Sequence, residues 1–193
     1  MSEHESILQI IDEQVITDFD NESFYCPEEA LSVPELIDHI VNFHHAYMRR
    51  KFPQLIEVSR HMLLKYNDEK LSQLLFYLDQ LTSEQLCHID KEEETVFPYI
   101  RSLFGVGEAI IPSFGSIKSP LSIIEMEHET ADQELSLLRS LTNDFTPPAW
   151  AGNDLIEFYK DLQILEKDLK LHLYKENNLL HPKAVAKESS FYK

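Results

Sequence analysis

The sequence predicts an all-α protein, an up-down-up-down antiparallel four-helix bundle preceded by a short N-terminal helix. The chain has 193 residues and only four glycines, and it is rich in Leu, Ile, Glu, Lys and Gln, which favour helices over strands. Four long helical stretches are separated by turn residues. Two of the three connections are short, which is typical of antiparallel neighbours.

The N-terminal part contains one short and one long predicted helix. Residues 5–17 have the apolar spacing of a short amphipathic helix, and residues 18–32 form a linker rich in turn residues. The first long helix runs from about Pro34 to Tyr66, because Ser32 is a good cap and a proline is tolerated in the first turn. A kink is expected near Pro53.

Three further long helices complete the predicted bundle. The second runs from about Glu69 to Ile100 after a turn at positions 67–68, the third starts at the Ser-Pro signal of positions 119–120, and the fourth ends near Leu180. The longest loop, at 102–119, contains three of the four glycines. We therefore expect an N-terminal helix with its linker, a bundle and a tail, at residues 1–32, 33–183 and 184–193.

Charge and composition exclude several classes of partner. The net charge is −17, which repels nucleic acids and anionic membranes. There is no signal peptide and no run of eighteen apolar residues, so we expect a cytoplasmic protein without a membrane partner. The two cysteines, Cys26 and Cys87, form neither a metal-binding spacing nor a disulfide framework, and Cys87, in mid-helix, is expected to be a small buried residue.

Two His/Glu pairs indicate a metal site. His88 and Glu92 lie in LCHIDKEEETVFPYI on the second helix, and His172 and Glu176 lie in LKLHLYKENNLLHP on the fourth. Residues four apart share a helical face at a distance of about 6 Å, so each pair can present an imidazole and a carboxylate to one point. Facing helices in a bundle can combine such pairs.

Two single histidines reach the same level of the bundle. Counted from the helix ends at a rise of ~1.5 Å per residue, His45 and His128 fall within about two turns of the two pairs. His61 would lie roughly 24 Å further along the first helix and is excluded. The residues alone do not decide between His44 and His45, since neighbours on a helix point about 100° apart. The other histidines lie at the wrong register or outside the predicted helices: His39, His4 and His181.

Four imidazoles and two carboxylates are too many ligands for one structural zinc, which takes four. They suit two ions bridged by the carboxylates and by an oxo or hydroxo group, and this donor set favours two non-haem iron ions. An open position would remain for a small diatomic ligand such as NO or O2. Ferritin-like sites instead use Glu-x-x-His and more carboxylates. A helical scaffold with coincidental histidines is the non-metallic alternative.

The motifs of these four helices resemble the hemerythrin-like superfamily, and most of all the iron-sulfur cluster repair di-iron proteins. The resemblance covers Glu35 to about Pro182 and rests on ELIDHIVNFHH with FPQLI, HIDKEEETVFPYI, EMEHETADQELSLLRSLTNDFTPP and DLKLHLYKENNLLHP. It selects His45, eight residues before Pro53, over His44. The metal ligands that it implies are His45, His88, Glu92, His128, His172 and Glu176.

The resemblance also implies a function in nitrosative and oxidative stress. A protein of this kind would bind or reduce NO, donate iron to damaged iron-sulfur proteins, or both; the alternative is an O2 or NO sensor that acts through a partner. Glu84 and Glu127 are implied as acids that guide protons or metal, with ordinary solvated positions as the alternative.

Two features depart from the family pattern. The first 32 residues hold Cys26 but not the Cys-Cys motif of the N-terminal domain that repair proteins usually carry, so the resemblance does not carry over the thiol chemistry or the partner contacts of that domain. Position 132 is Asp, where oxygen-carrying hemerythrins have a second histidine, which argues against O2 storage.

Overall fold

The computed structural model describes residues 31–191, and every regular element in this range is helical. Three short π-helical turns interrupt the long helices, at Ile40–His45, Glu92–Val96 and Lys175–Leu180. The α-helical segments are α1 (Val33–His39), α2 (Ala46–Tyr66), α3 (Glu69–Lys91), α4 (Phe97–Leu103), α5 (Lys118–Leu141), α6 (Asn153–Tyr174) and α7 (His181–Ser190). The predicted N-terminal helix and Cys26 lie outside the described residues.

These segments form four long helices that pack as an up-down-up-down bundle. The first consists of α1 and α2, the second of α3 and α4, the third of α5, and the fourth of α6 and α7. Each long helix contacts the next, and the fourth contacts the first, so the bundle is closed. The predicted fold class is confirmed. None of the helices between residues 31 and 191 is both long and apolar enough to cross a bilayer.

Local signals place the first two long helices. The carboxylate of Glu35 accepts hydrogen bonds from the backbone N–H and the hydroxyl of Ser32, which closes the start of α1. Asn67 ends α2 in the left-handed conformation, at φ 46°. Asp68 then caps α3, because its side chain accepts from the backbone N–H groups of Lys70 and Leu71. The helix α2 is continuous through Pro53.

The apolar core is divided by a layer of histidines. On one side, buried residues of α2, α3, α5 and α6, among them Phe52, Leu78 and Leu165, fill the half of the bundle towards the short connections. On the other side, α1, α4, the start of α5 and α7 bury a second apolar group: Leu36, Ile37, Ile100, Leu121, Ile124 and Ala184. The histidine layer is therefore closed off from water at both ends.

The fourth helix continues beyond its predicted end at Leu180. The segment α7 is held by Glu188, whose buried carboxylate accepts hydrogen bonds from the Tyr99 hydroxyl at 2.8 Å, the Ser116 hydroxyl at 2.6 Å and the Ile117 backbone N–H at 2.9 Å. One carboxylate thus joins α7 to α4 and to the start of α5. The division of the chain into three regions stays a prediction.

The predicted burial of Cys87 is wrong. Cys87 is exposed on α3, one position from the buried His88, because the core-facing stripe of this helix passes through His88 and Ile89. Neighbouring positions on a helix point about 100° apart, so the adjacent side chain turns outward.

Glu134 on α5 is expected to destabilise the protein at alkaline pH. It is 7% exposed, and neither carboxylate oxygen has a hydrogen-bond partner among the described residues. Burial, followed by the charge of Glu84, raises the pKa of Glu134 from 4.5 to about 7. The folded state therefore keeps a proton that the unfolded state releases, and stability falls as the pH rises from about 4.5 to about 7.

Glu134→Gln removes the free-energy cost of burying an ionised carboxylate. Its stabilising effect on the metal-free protein should therefore be larger at pH 8 than at pH 5, by about 1 kcal/mol. Urea unfolding at the two pH values measures the difference. Glu129→Gln, an exposed change on the same helix, is the control. An equal effect of Glu134→Gln at both pH values would contradict the explanation.

Candidate metal centre

Six buried side chains from four helices meet in the histidine layer. They form two groups in which one ligand atom of every residue lies within 4.8 Å of the others. The first group contains His45, Glu92, His172 and Glu176, and the second contains His88, Glu92, His128 and Glu176. The structure thus brings together all six of the residues predicted as ligands, and both groups share the two glutamates.

The imidazole nitrogens converge in pairs. The Nε2 atoms of His45 and His172 are 3.1 Å apart, and those of His88 and His128 are 3.0 Å apart. Two imidazoles can share one proton at such a contact, but four nitrogens directed at two neighbouring points also form a typical metal-ligand arrangement.

Each glutamate directs one oxygen to each group. The Oε2 atom of Glu92 is 3.4 Å from His45 Nε2, and its Oε1 atom is 3.4 Å from His88 Nε2. The Oε1 atom of Glu176 is 2.8 Å from His172 Nε2, and its Oε2 atom is 3.3 Å from His128 Nε2. Both carboxylates therefore have the orientation needed to bridge two cations.

The outer nitrogens of three imidazoles are held by acceptors. Nδ1 of His45 contacts the carboxylate of Glu93 at 2.9 Å, and Nδ1 of His88 contacts that of Glu127 at 2.7 Å. Nδ1 of His128 contacts the amide oxygen of Asn177 at 2.8 Å. An acceptor at Nδ1 keeps the proton there and leaves Nε2 free for a metal. His172 Nδ1 has no hydrogen-bond partner in the described range.

The two shared glutamates lie at the starts of π-helical turns, Glu92 as the first residue of one and Glu176 as the second residue of the other, and a proline follows each turn after one intervening residue. The backbone N–H of Phe97 bonds to the carbonyl of Glu92, and that of His181 bonds to the carbonyl of Glu176, five residues earlier in both cases. The residues after these two donors are Pro98 and Pro182, which lack an N–H and crowd the preceding turn. The sequence thus widens both helices directly beyond their ligand pairs.

Electrostatics favour cations between the carboxylates. Burial lowers the pKa of His45, but Glu176 and Glu92 outweigh it and raise this pKa to about 10. Burial also lowers the pKa of His88, but Glu92 outweighs it and raises this pKa to about 9. Although burial raises the pKa values of both glutamates, the surrounding imidazoles lower them overall. Without metal, protons on the imidazoles neutralise the carboxylates, and a metal ion would replace those protons.

His44 is buried but belongs to a different network. Its Nδ1 contacts Asp168 at 2.9 Å, and its Nε2 lies 3.0 Å from the Nζ atom of Lys175. Lys175 is fully buried and also contacts Nε2 of His39 at 2.9 Å. Lys175 and Asp168 are not among the residues predicted from the sequence; the one available signal was their position, one residue before Glu176 and four before His172.

The remaining histidines have separate positions. His61 is exposed on α2, as its distance along the helix predicted. The prediction that His181 lies beyond the last helix is wrong. It begins α7, is 2% exposed, and stacks on His128 with ring centroids 6.0 Å apart.

A surface cavity of about 300 Å³ reaches the second group from outside. It is lined by Glu84, Cys87, His88, Lys91 and Glu127, among others. Glu127 links the surface to the buried layer, because it contacts both Lys91 Nζ and His88 Nδ1. Glu84 lines the cavity without touching a histidine of the layer.

The donor set fits a pair of transition-metal ions such as iron. Both oxygens of Glu92 and Oε2 of Glu176 are buried without a hydrogen-bond partner among residues 31–191. Leaving three buried carboxylate oxygens without a hydrogen bond is costly unless cations sit between them. Mixed imidazole and carboxylate donors suit iron, whereas magnesium and calcium prefer oxygen alone.

Comparisons with known proteins agree with this geometry. The chain is 30% identical over 156 residues to a probable iron-sulfur cluster repair protein of Haemophilus influenzae. It is 32% identical over 163 residues to the iron-sulfur cluster repair protein YtfE of Dickeya chrysanthemi. It is 33% identical over 156 residues to YtfE of Escherichia coli O157:H7. These matches cover 80%, 81% and 80% of this chain, but only 66%, 68% and 67% of the relatives. The chain therefore spans about two thirds of the length of these curated relatives, and slightly less for the first.

The hemerythrin HHE cation binding domain family matches residues 36–184 of this chain. This range is most of the chain and includes all six converging side chains. Together with the bundle and its histidine layer, this match shows that the chain belongs to the hemerythrin family.

Proposed function

We propose that this protein holds two non-haem iron ions, joined by an oxo or hydroxo bridge, and uses them in the repair of iron-sulfur clusters. The observation that carries the proposal is that Glu92 and Glu176 are shared by two groups of histidines. His45 and His172 would bind one ion, and His88 and His128 the other. The names of the relatives supply the link to cluster repair.

The side chains around the site would control how tightly iron is held. Glu93, Glu127 and Asn177 orient three of the imidazoles through Nδ1. The two apolar layers exclude water and strengthen the attraction between carboxylates and cations. Bound iron would supply redox chemistry and a binding position for NO or another small diatomic molecule.

Access to the site supports a role in which iron or a small ligand is exchanged. The cavity beside His88 contains the carboxylates of Glu84 and Glu127, and the second of these already contacts a proposed ligand. Carboxylates along such a path can accept a metal ion or a proton as it leaves the buried layer. We assign this role to Glu127 first, because its contact with His88 is direct.

The two glutamates should determine iron content. Glu176→Ala removes an oxygen from both groups, so iron per chain after anaerobic loading with ferrous iron should fall from two to below one. Glu92→Ala should behave in the same way. His128→Ala damages only the second group and should retain about one iron.

His61→Ala is the matched control, because His61 is exposed and distant, and it should retain both ions. Far-UV circular dichroism shows whether each variant is folded. Loss of iron from the His61 variant, with retention in the glutamate variants, would contradict the assignment of the ligands.

Glu127→Gln tests the orienting contact. It replaces the charged acceptor at His88 Nδ1 with a weaker one, so iron affinity should fall about tenfold, in the range typical for such outer contacts. Competition with a ferrous chelator measures the affinity. Glu125→Gln on the same helix is exposed and should have no effect. Equal affinities of the two variants would remove Glu127 from the proposal.

Cluster repair itself is tested by transfer of iron. Iron-loaded protein should restore the activity of a [4Fe–4S] dehydratase damaged by NO, whereas metal-free protein and the Glu176→Ala variant should not. If the loaded protein takes up NO reversibly and restores no dehydratase activity, repair is excluded and the sensor alternative is favoured.

A further inference from the structure

The two ligand-bearing segments are related by an internal repeat. HIDKEEETVFP at 88–98 and HLYKENNLLHP at 172–182 align without a gap. His88 corresponds to His172, and Glu92 corresponds to Glu176. Both segments place a π-helical turn and a proline at equivalent positions. In this alignment, Phe97 of the first segment corresponds to His181 of the second.

Phe97 and His181 occupy equivalent places in the structure. Phe97 stacks on His45, with ring centroids 5.7 Å apart and an interplanar angle of 13°. His181 stacks on His128, at 6.0 Å and 10°. Each ring is 2% exposed. Each therefore covers the single histidine that the neighbouring helix contributes to the site, one for each group of ligands.

The two covering rings differ in chemistry. A phenyl ring makes no hydrogen bonds, whereas the imidazole of His181 has two ring nitrogens, and within residues 31–191 neither of them has a partner. Burial lowers the pKa of His181, against the opposing charges of Glu176 and Glu92. In its neutral form this ring has one N–H donor and one acceptor nitrogen.

Packing alone does not explain an imidazole at this position. The phenyl ring at the equivalent position shows that a purely apolar residue fits beneath the same type of turn. A buried polar ring without a partner is unfavourable unless something polar meets it. Because the ring stacks on His128, the missing partner belongs beside the second group of ligands.

We propose that His181 forms a polar subsite beside the group of His88, Glu92, His128 and Glu176, where it hydrogen-bonds a small polar or anionic ligand bound at the metal ion. The other group, covered by Phe97, has no such contact. The two metal positions are therefore unequal, and small anions bind at the His181 side. This inference rests on the proposed two-iron site.

The experiment measures azide binding to the oxidised, iron-loaded protein by its charge-transfer absorption. His181→Phe copies the residue of the equivalent position and should weaken azide binding roughly five- to tenfold while both irons are retained. His181→Gln keeps a donor and an acceptor and should recover part of the affinity. His61→Phe makes the same chemical change at an exposed site and should bind azide like the unsubstituted protein.

A second readout needs no metal. Metal-free His181→Phe should unfold at a higher temperature than the unsubstituted protein, because it replaces an unpaired buried imidazole with a ring of similar shape. A lower unfolding temperature would mean that the imidazole already has a partner, and would overturn the inference.

The outcomes separate this inference from the proposed function. If the unsubstituted protein holds no pair of irons, both fail. If it holds the pair and azide binds His181→Phe with unchanged affinity, only the subsite is overturned. Loss of iron from His181→Phe also overturns it, because His181 would then support the metals rather than an added ligand.

Discussion

The structure depends on two buried carboxylates that must be neutralised inside the bundle. Glu92 and Glu176 are fully buried and lie near each other, so each disfavours the charge of the other. Four imidazoles surround them, and the raised pKa values of His45 and His88 let these two supply positive charge as protons in the metal-free protein. Metal ions can supply the same charge at the same points. The apolar layers above and below make the attraction between the carboxylates and these positive charges stronger than it would be in water.

The two groups of the site have the same kinds of donor atoms, but the residues around the two groups differ. On the second helix, Lys91 is exposed and contacts Glu127, which holds His88. At the equivalent position of the fourth helix, Lys175 is fully buried and contacts His44 instead. The covering rings differ as well, with phenyl on one side and imidazole on the other. A pair of ions in this site would therefore have two different environments, a condition for distinct roles in ligand binding and iron release.

Much of the fold follows from local rules, and the exceptions arise from distant contacts. Helical periodicity, the Ser32 and Asp68 caps and the prolines predict four long helices with nearly correct ends. The fourth helix continues past Leu180 because Glu188 binds groups on α4 and at the start of α5, which no local pattern reveals. Cys87 is exposed because the core-facing stripe of α3 includes its neighbour, and that rotation is set by the packing of the whole bundle.

The sequence by itself determined the donor types and their spacing, since a His and a Glu four residues apart share a helical face in any helix. It also determined the common level of the four histidines, because the rise per residue is constant. Only the tertiary structure decided what depends on the rotation of one helix against another. It turned His45 towards the cluster and His44 towards Lys175, and it placed His181 against His128. These choices depend on side-chain packing between helices, which is not encoded in a single segment.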